Sequence, residues 1–261
     1  MPDSEPPSVL LAPDEPAACE VVDGDDASPY FLTCDHAGRR IPRALGDLGL
    51  SASDLQRHIA WDIGAAGLAR RLADELRAFL ALQSYSRLVI DCNRPLDAPD
   101  SIAAESERTV IPGNQNLTSE QAEQRVHAVY RPYHDRIGEE LARRERAGRE
   151  TILVTVHSFT PIYLGVARSW QMGVLYHRDA RLAHALLHVL RERTSYVVGD
   201  NQPYRVTDHS DVGVLEYGEK RGNLHVELEV RQDLIAEEAG QREWAIALAA
   251  SLREARDRLT R

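Results

Sequence analysis

Apolar residues along the chain fall into two patterns: short unbroken runs that end in polar clusters, and longer stretches with an apolar side chain every third or fourth position. The clearest run is TILVTVHSFTP at residues 151–161. A continuous, mostly β-branched run reads as a strand buried on both faces, as in a parallel sheet. It leads straight into His157 and Ser158. Tyr30-Phe31-Leu32-Thr33-Cys34 is a second such run and ends in Asp35-His36-Ala37-Gly38. Arg87-Leu88-Val89-Ile90-Asp91 reads as a third, followed by Cys92-Asn93-Arg94-Pro95. Residues 174–176 make a shorter strand. The last strand, LHVELEV at 224–230, alternates. His225, Glu227, Glu229 and Arg231 share one face; Leu224, Val226, Leu228 and Val230 share the other.

Helical spacing fills the gaps. Ser53-Asp54-Leu55-Gln56 has the form of a capping box, and Leu55, Ile59, Ile63, Leu68, Leu72 and Leu76 follow near helical period. Thr118-Ser119-Glu120-Gln121 opens a second helix over 118–147, with Val126, Tyr130, Tyr133, Ile137 and Leu141 as its buried stripe and Pro132 as a kink. Residues 180–193 form a third. A closing helix runs from Asp233 to about Leu259. Long polar loops are expected at 97–116 and 199–211, and such loops in a compact domain are often functional. The reading is an α/β fold with a largely parallel sheet, as one domain over 29–261. Residues 1–28, rich in Pro, Asp, Glu and Ala, form a loosely held arm with room for one short strand.

Composition narrows the function classes. The 261 residues carry 43% hydrophobic and 28% charged side chains, as a soluble globular domain does. A formal net charge of −10 argues against a nucleic-acid surface. No segment approaches the roughly 18 apolar residues of a membrane span. MPDSEPPS lacks the layout of a secretory signal, and Cys19, Cys34 and Cys92 are too scattered for a disulfide framework. A cytoplasmic location is expected.

Reactive groups in open α/β sheets gather past the carboxyl ends of strands. His36 and His157 both stand there, as ligands or acid–base groups, or as histidines that cap loop carbonyls. Asp62 adjoins Ile59 and Ile63 on the inward face of the first helix. A buried carboxylate there needs a metal, a salt bridge such as one to Arg70, or a capping bond. His58 lies four residues before Asp62, but its polar neighbours place it outward. Arg94 can clamp a carboxylate with Asn93 beside it, or neutralise Asp91 or Asp97. Glu227 and Glu229 on one face of an interior strand repel each other unless a cation sits nearby; on a solvated edge strand the pattern is trivial. His134 reads as structural. Tyr204, Arg205 and His209 are substrate-contact candidates or ordinary loop residues. Ser158 adjoins His157, but there is no G-x-S-x-G elbow for a serine hydrolase.

CDHAGRRIP, HIAWDIGA, RLVIDCNRP, YRPYH, VTVHSFTP and ELEVRQDLI occur in this order after residue 28. Together they resemble the N-formylglutamate amidohydrolase family, which is similar in fold to zinc carboxypeptidases and aspartoacylase-type deacylases. The resemblance implies a three-layer α/β/α fold of the phosphorylase/hydrolase-like, zinc carboxypeptidase-like type, with a mixed, largely parallel sheet. It implies Zn2+ held by His36, His157 and a carboxylate. In the carboxypeptidase type that carboxylate lies three residues after the first histidine, where this chain has Arg39, so Asp62 is the expected ligand.

The resemblance also implies a glutamate as general base, Glu229 first and Glu227 second. Asn93 and Arg94 would hold a substrate carboxylate, and Arg168 another. The expected substrate is a small acidic N-acyl amino acid such as N-formylglutamate, with the formyl group implied by the family name alone. The rival readings are a related zinc amidase or peptidase on the same scaffold and a catalytically inactive binding protein. Oligomeric state stays open.

Overall fold

The computed structural model describes residues 10–260; the first nine residues of the expected arm lie outside this range. Seven strands form one sheet: β1 (Cys19–Val22), β2 (Tyr30–Cys34), β3 (Phe79–Gln83), β4 (Ile152–Phe159), β5 (Met172–Leu175), β6 (Val198–Asp200) and β7 (Leu224–Arg231). Their spatial order is β1-β3-β2-β4-β7-β5-β6. The central four, β3, β2, β4 and β7, run parallel. β1 is antiparallel to β3, and β5 to β7, so the sheet is mixed and largely parallel as expected.

Helices cover both faces. α1 (Ala65–Leu76), α4 (Arg181–Arg193) and α5 (Glu238–Leu259) pack on one side against Leu32, Leu80, Val154, Val156 and Leu228. α2 (Ser119–Arg125) and α3 (Arg131–Arg146) cover the other, where Val129, Tyr133 and Ile137 meet Phe31, Phe79 and Leu153. The Thr118 capping box forms with Gln121 as its spacing predicts. Between α2 and α3 the chain makes a π-helical turn, Val126–Tyr130, directly before Pro132. The missing proline donor is thus accommodated by a wider turn.

The structure corrects four expectations. No helix starts at Ser53: Asp54–Gln56 is a single 3₁₀ turn and Ser53 makes no capping bond. Leu55 packs into a small separate cluster with Leu48, Leu50 and Leu88. The true helix begins after Gly64, whose φ of 82° is left-handed. A β-carbon there would lie 2.2 Å from the Ile235 carbonyl oxygen, so only glycine fits this entry. Residues 87–91 are not a strand either. They form a buried turn in which the Val89 amide donates to the Ser86 carbonyl. The neighbouring FLALQ run, Phe79–Gln83, is the strand. The closing helix starts at Glu238, after a 3₁₀ turn at Gln232–Leu234. Lastly, His157 lies inside β4, not past its end.

Candidate active site

The parallel strands deliver polar residues to one end and one face of the sheet. In register, Thr33 lies beside Thr155, Thr155 beside Glu227, and His157 beside Glu229. Alternation therefore lines up Asp35, His157 and Glu229 on the α3 side. The chain after β2 turns so that the His36 carbonyl accepts the Asp62 amide at 3.0 Å. The segment before α1 is anchored to β4 by Ser158, whose amide donates to Asp62 Oδ2 (3.1 Å) and whose hydroxyl donates to the Ile63 carbonyl (2.9 Å). Asp62 thus arrives on a turn fixed at both sides, not on a helix stripe. Arg70, its alternative partner, pairs with Glu20 instead.

Three atoms meet here. His157 Nδ1 lies 3.0 Å from Asp62 Oδ2 and 3.2 Å from His36 Nδ1, and His36 Nδ1 lies 3.5 Å from Asp62 Oδ2. All three residues are buried. Ligands 2.0–2.1 Å from a tetrahedral zinc stand about 3.3 Å apart, so the triangle has the size such an ion requires.

The outward nitrogens of both rings face carboxylates. His36 Nε2 is 2.7 Å from Asp91 Oδ1. Asp91 also takes Nε and Nη2 of Arg87 at 3.1 and 2.6 Å and the Asn93 amide at 2.9 Å. His157 Nε2 is 3.5 Å from Asp35 Oδ2, and the Tyr133 hydroxyl donates to Asp35 Oδ1 at 2.5 Å. Metal-binding histidines commonly carry such a carboxylate behind them.

Electrostatics follow from burial and neighbours. Burial would raise Asp91, but Arg87 and His36 hold it well below the usual carboxylate range. Burial likewise opposes Asp62 ionisation, and His36 and His157 overcome it. Glu227 is pushed up to about 7 by burial and by Asp211. Burial raises Glu229 well above its ordinary value although His157 opposes the shift. The two glutamates differ in their surroundings. Glu227 accepts a bond from the Thr155 hydroxyl at 3.1 Å and lies 4.0 Å from His157 Nε2, on the side away from the triangle. Glu229 Oε2 is buried without a hydrogen-bond partner.

His36, Asp62, Arg87, Asp91, His157, Glu227 and Glu229 line one cavity of about 700 Å³. Asn93, Arg94, Arg168, Tyr204 and Arg205 line it too, whereas His209 is exposed outside it. Asn93 Nδ2 donates to Asp211 at 3.0 Å, and Arg94 lies 3.6 Å from the same carboxylate and 3.0 Å from Asp100. Arg168 has no carboxylate partner among the described residues. It stacks over Tyr163 and Tyr204, both at 4.8 Å, and donates to the Tyr204 hydroxyl at 3.0 Å. His58, expected outward, is half-buried in the cavity wall and pairs with Glu107 at 3.3 Å. His134 is structural as read: it sits against Tyr130 and bonds the Tyr217 hydroxyl.

Sequence reasoning did not assign Arg87, Asp91, Asp35 or Tyr133 to the site. Arg87 and Asp91 are four apart at the ends of an apolar run, and a complementary pair bounding buried residues was the available signal. Nothing local links Tyr133 to Asp35.

The profile of the N-formylglutamate amidohydrolase family matches residues 28–236. A gene product of Agrobacterium tumefaciens of known crystal structure is 39% identical, with a TM-score of 0.91 over 97% of this chain and 100% of that one. The N-formylglutamate amidohydrolase of Ralstonia eutropha JMP134 is 20% identical and shares the fold, with a TM-score of 0.69 over 93% and 97% of the two chains. Comparison with curated proteins gives no match. The match over most of the chain fits the ordered motifs and the cleft they build: the chain belongs to the N-formylglutamate amidohydrolase family, hydrolases of linear amide bonds.

Proposed function

We propose that the protein is a zinc-dependent amidohydrolase that cleaves a small acidic N-acyl amino acid such as N-formylglutamate. The observation that carries this reading is the triangle of His36 Nδ1, His157 Nδ1 and Asp62 Oδ2 at tetrahedral spacing. These three residues would hold the ion; among them they supply two neutral donors and one anion and leave a fourth position open. A zinc so bound lowers the pKa of water and polarises the scissile carbonyl. Glu229 takes the proton of the attacking water and returns it to the leaving nitrogen. Its buried, unpartnered Oε2 supports that role, and burial raises its basicity above that of an ordinary glutamate.

Asn93 and Arg94 hold the substrate carboxylate at one wall of the cavity. Both now lean on Asp211, which a substrate carboxylate would replace as the acceptor. Arg168, without an acid of its own and stiffened between two tyrosines, takes the second carboxylate. The test is a panel of N-acyl amino acids and short peptides with zinc restored. The reading expects chelator-sensitive release of the free amino acid, with acidic substrates preferred over their amides. Hydrolysis that persists in excess chelator would reject the metal, and equal rates for acids and amides would reject the carboxylate sites.

A further inference from the structure

The two histidines of the triangle are held from behind by unequal means. Asp91, behind His36, receives four bonds: two from Arg87, one from the Asn93 amide and one from His36 itself. Removing any one of them leaves three. Asp35, behind His157, has one firm anchor, the Tyr133 hydroxyl. Its other oxygen, Oδ2, is buried and faces His157 Nε2 at 3.5 Å with no closer partner. His157 Nε2 likewise has no other hydrogen-bond partner.

Tyr133 reaches this place because of the helix that carries it. A π-helical turn, Val126–Tyr130, leads into α3. Val126, Val129, Tyr133, Ile137 and Leu141 all join the apolar layer on this face of the sheet. The Tyr133 ring packs in this apolar layer and is fully buried, so its hydroxyl is set by packing and not by a mobile side chain. It projects through the layer onto the carboxylate at the end of β2.

We infer that Tyr133 is a positioning residue: through Asp35 it fixes the ring of His157 so that Nδ1 faces the metal site, an inference that rests on the zinc reading above. The hydroxyl donates to Asp35 Oδ1, Asp35 Oδ2 is thereby aimed at Nε2–H of His157, and the Nδ1 lone pair is left free for the ion. Without the hydroxyl, Asp35 is free to rotate, and the imidazole loses the group that selects its tautomer. Orientation of a metal ligand by such a partner is worth roughly ten- to a hundredfold in metal affinity.

The experiment compares zinc affinity, by competition with a chromophoric chelator, in the full-length parent protein, Tyr133→Phe and Tyr85→Phe. Tyr85 is an equally buried tyrosine whose hydroxyl donates to the Pro16 carbonyl at 2.7 Å, away from both histidines. Its substitution therefore removes a tyrosine hydroxyl and its bond to a neutral backbone carbonyl without touching the site. The expected result is zinc binding weakened roughly ten- to a hundredfold in Tyr133→Phe and unchanged in Tyr85→Phe. Melting of the metal-free proteins is measured alongside, so that lost stability is separated from lost affinity. Parent-like zinc affinity in Tyr133→Phe overturns the positioning role while leaving the zinc reading intact. A matching loss in Tyr85→Phe overturns it as well, since the effect would then be general loosening. A parent protein that binds no zinc overturns the zinc reading and this inference with it.

Discussion

Replacing Glu227 with glutamine isolates the energetic role of one buried acid. Its carboxyl is 2% exposed, and burial together with Asp211 lifts its midpoint from 4.5 to about 7. Because the folded value lies above the unfolded one, the neutral acid's contribution to stability is complete below pH 4.5. It is lost as pH rises through 7. At about 1.4 kcal/mol for each tenfold change, ionising this group costs the metal-free folded state roughly 3 kcal/mol by pH 8. Glutamine keeps the shape and the Thr155 contact but never ionises. The stability of Glu227→Gln relative to the parent should therefore grow by roughly 3 kcal/mol between pH 4.5 and pH 8. For a chain of this size that is roughly 6–12 °C in melting temperature. The assay is thermal or urea unfolding of both proteins across that range, in chelator. Glu227 interacts with both His157 and Glu229, so the difference between the two proteins reports the change in titration of this buried cluster when one acid is removed. Curves that stay parallel from pH 4.5 to 8 would refute the argument, because the carboxyl would then be ordinary in the folded protein.

The remaining expectations concern the site and its scaffold. Glu229→Gln should reduce kcat by roughly 10²–10⁴ with bound zinc retained, whereas Glu227→Gln should slow turnover far less; steady-state kinetics with metal analysis decides, and the reverse order would make Glu227 the base. Arg94→Lys keeps the charge but loses the planar fork, so KM for an acidic N-acyl amino acid should rise more than KM for its amide; equal rises would make Arg94 merely structural. Gly64→Ala places a β-carbon 2.2 Å from the Ile235 carbonyl oxygen at a left-handed φ. It should destabilise the fold by more than the ~1–2 kcal/mol that a left-handed φ alone costs a residue with a β-carbon, and parent-like unfolding would contradict the packing at the α1 entry.

The parts of the fold that were legible in the sequence are those where one pattern had one physical explanation. β2, β4 and β7 combine buried runs with polar ends, and the structure places all three adjacent in the middle of the sheet. Alternation puts Glu227 and Glu229 on one face, and because β7 is an interior strand both acids are buried. The helix proposed from Ser53 failed for a reason of the same kind. Leu55, Ile59 and Ile63 have helical spacing, but on this irregular chain Leu55 packs on a small cluster of its own, Ile59 is buried and Ile63 is half-buried, and spacing cannot tell this from a helix. The run at 87–91 is as apolar as a strand and as buried, yet its Val89 amide closes a turn onto Ser86 and its Asp91 amide bonds the Ser101 carbonyl, so no strand pairing forms. Asp62 was singled out as a buried acid that needs a metal, a salt bridge or a capping bond, and it does meet His36 and His157, although by a turn and not by a helix. Arg87, Asp91 and Tyr133 escaped notice because each acts through another residue distant in sequence, and no periodicity records such a contact.

The central claim is that His36, Asp62 and His157 hold one metal ion. The direct measurement is zinc stoichiometry of the purified, zinc-reconstituted protein beside His157→Ala, with circular dichroism to confirm that both are folded. The account predicts about one zinc for each parent chain and none above background in the folded variant. A parent chain that binds no zinc, or a variant that keeps the full complement, would contradict it.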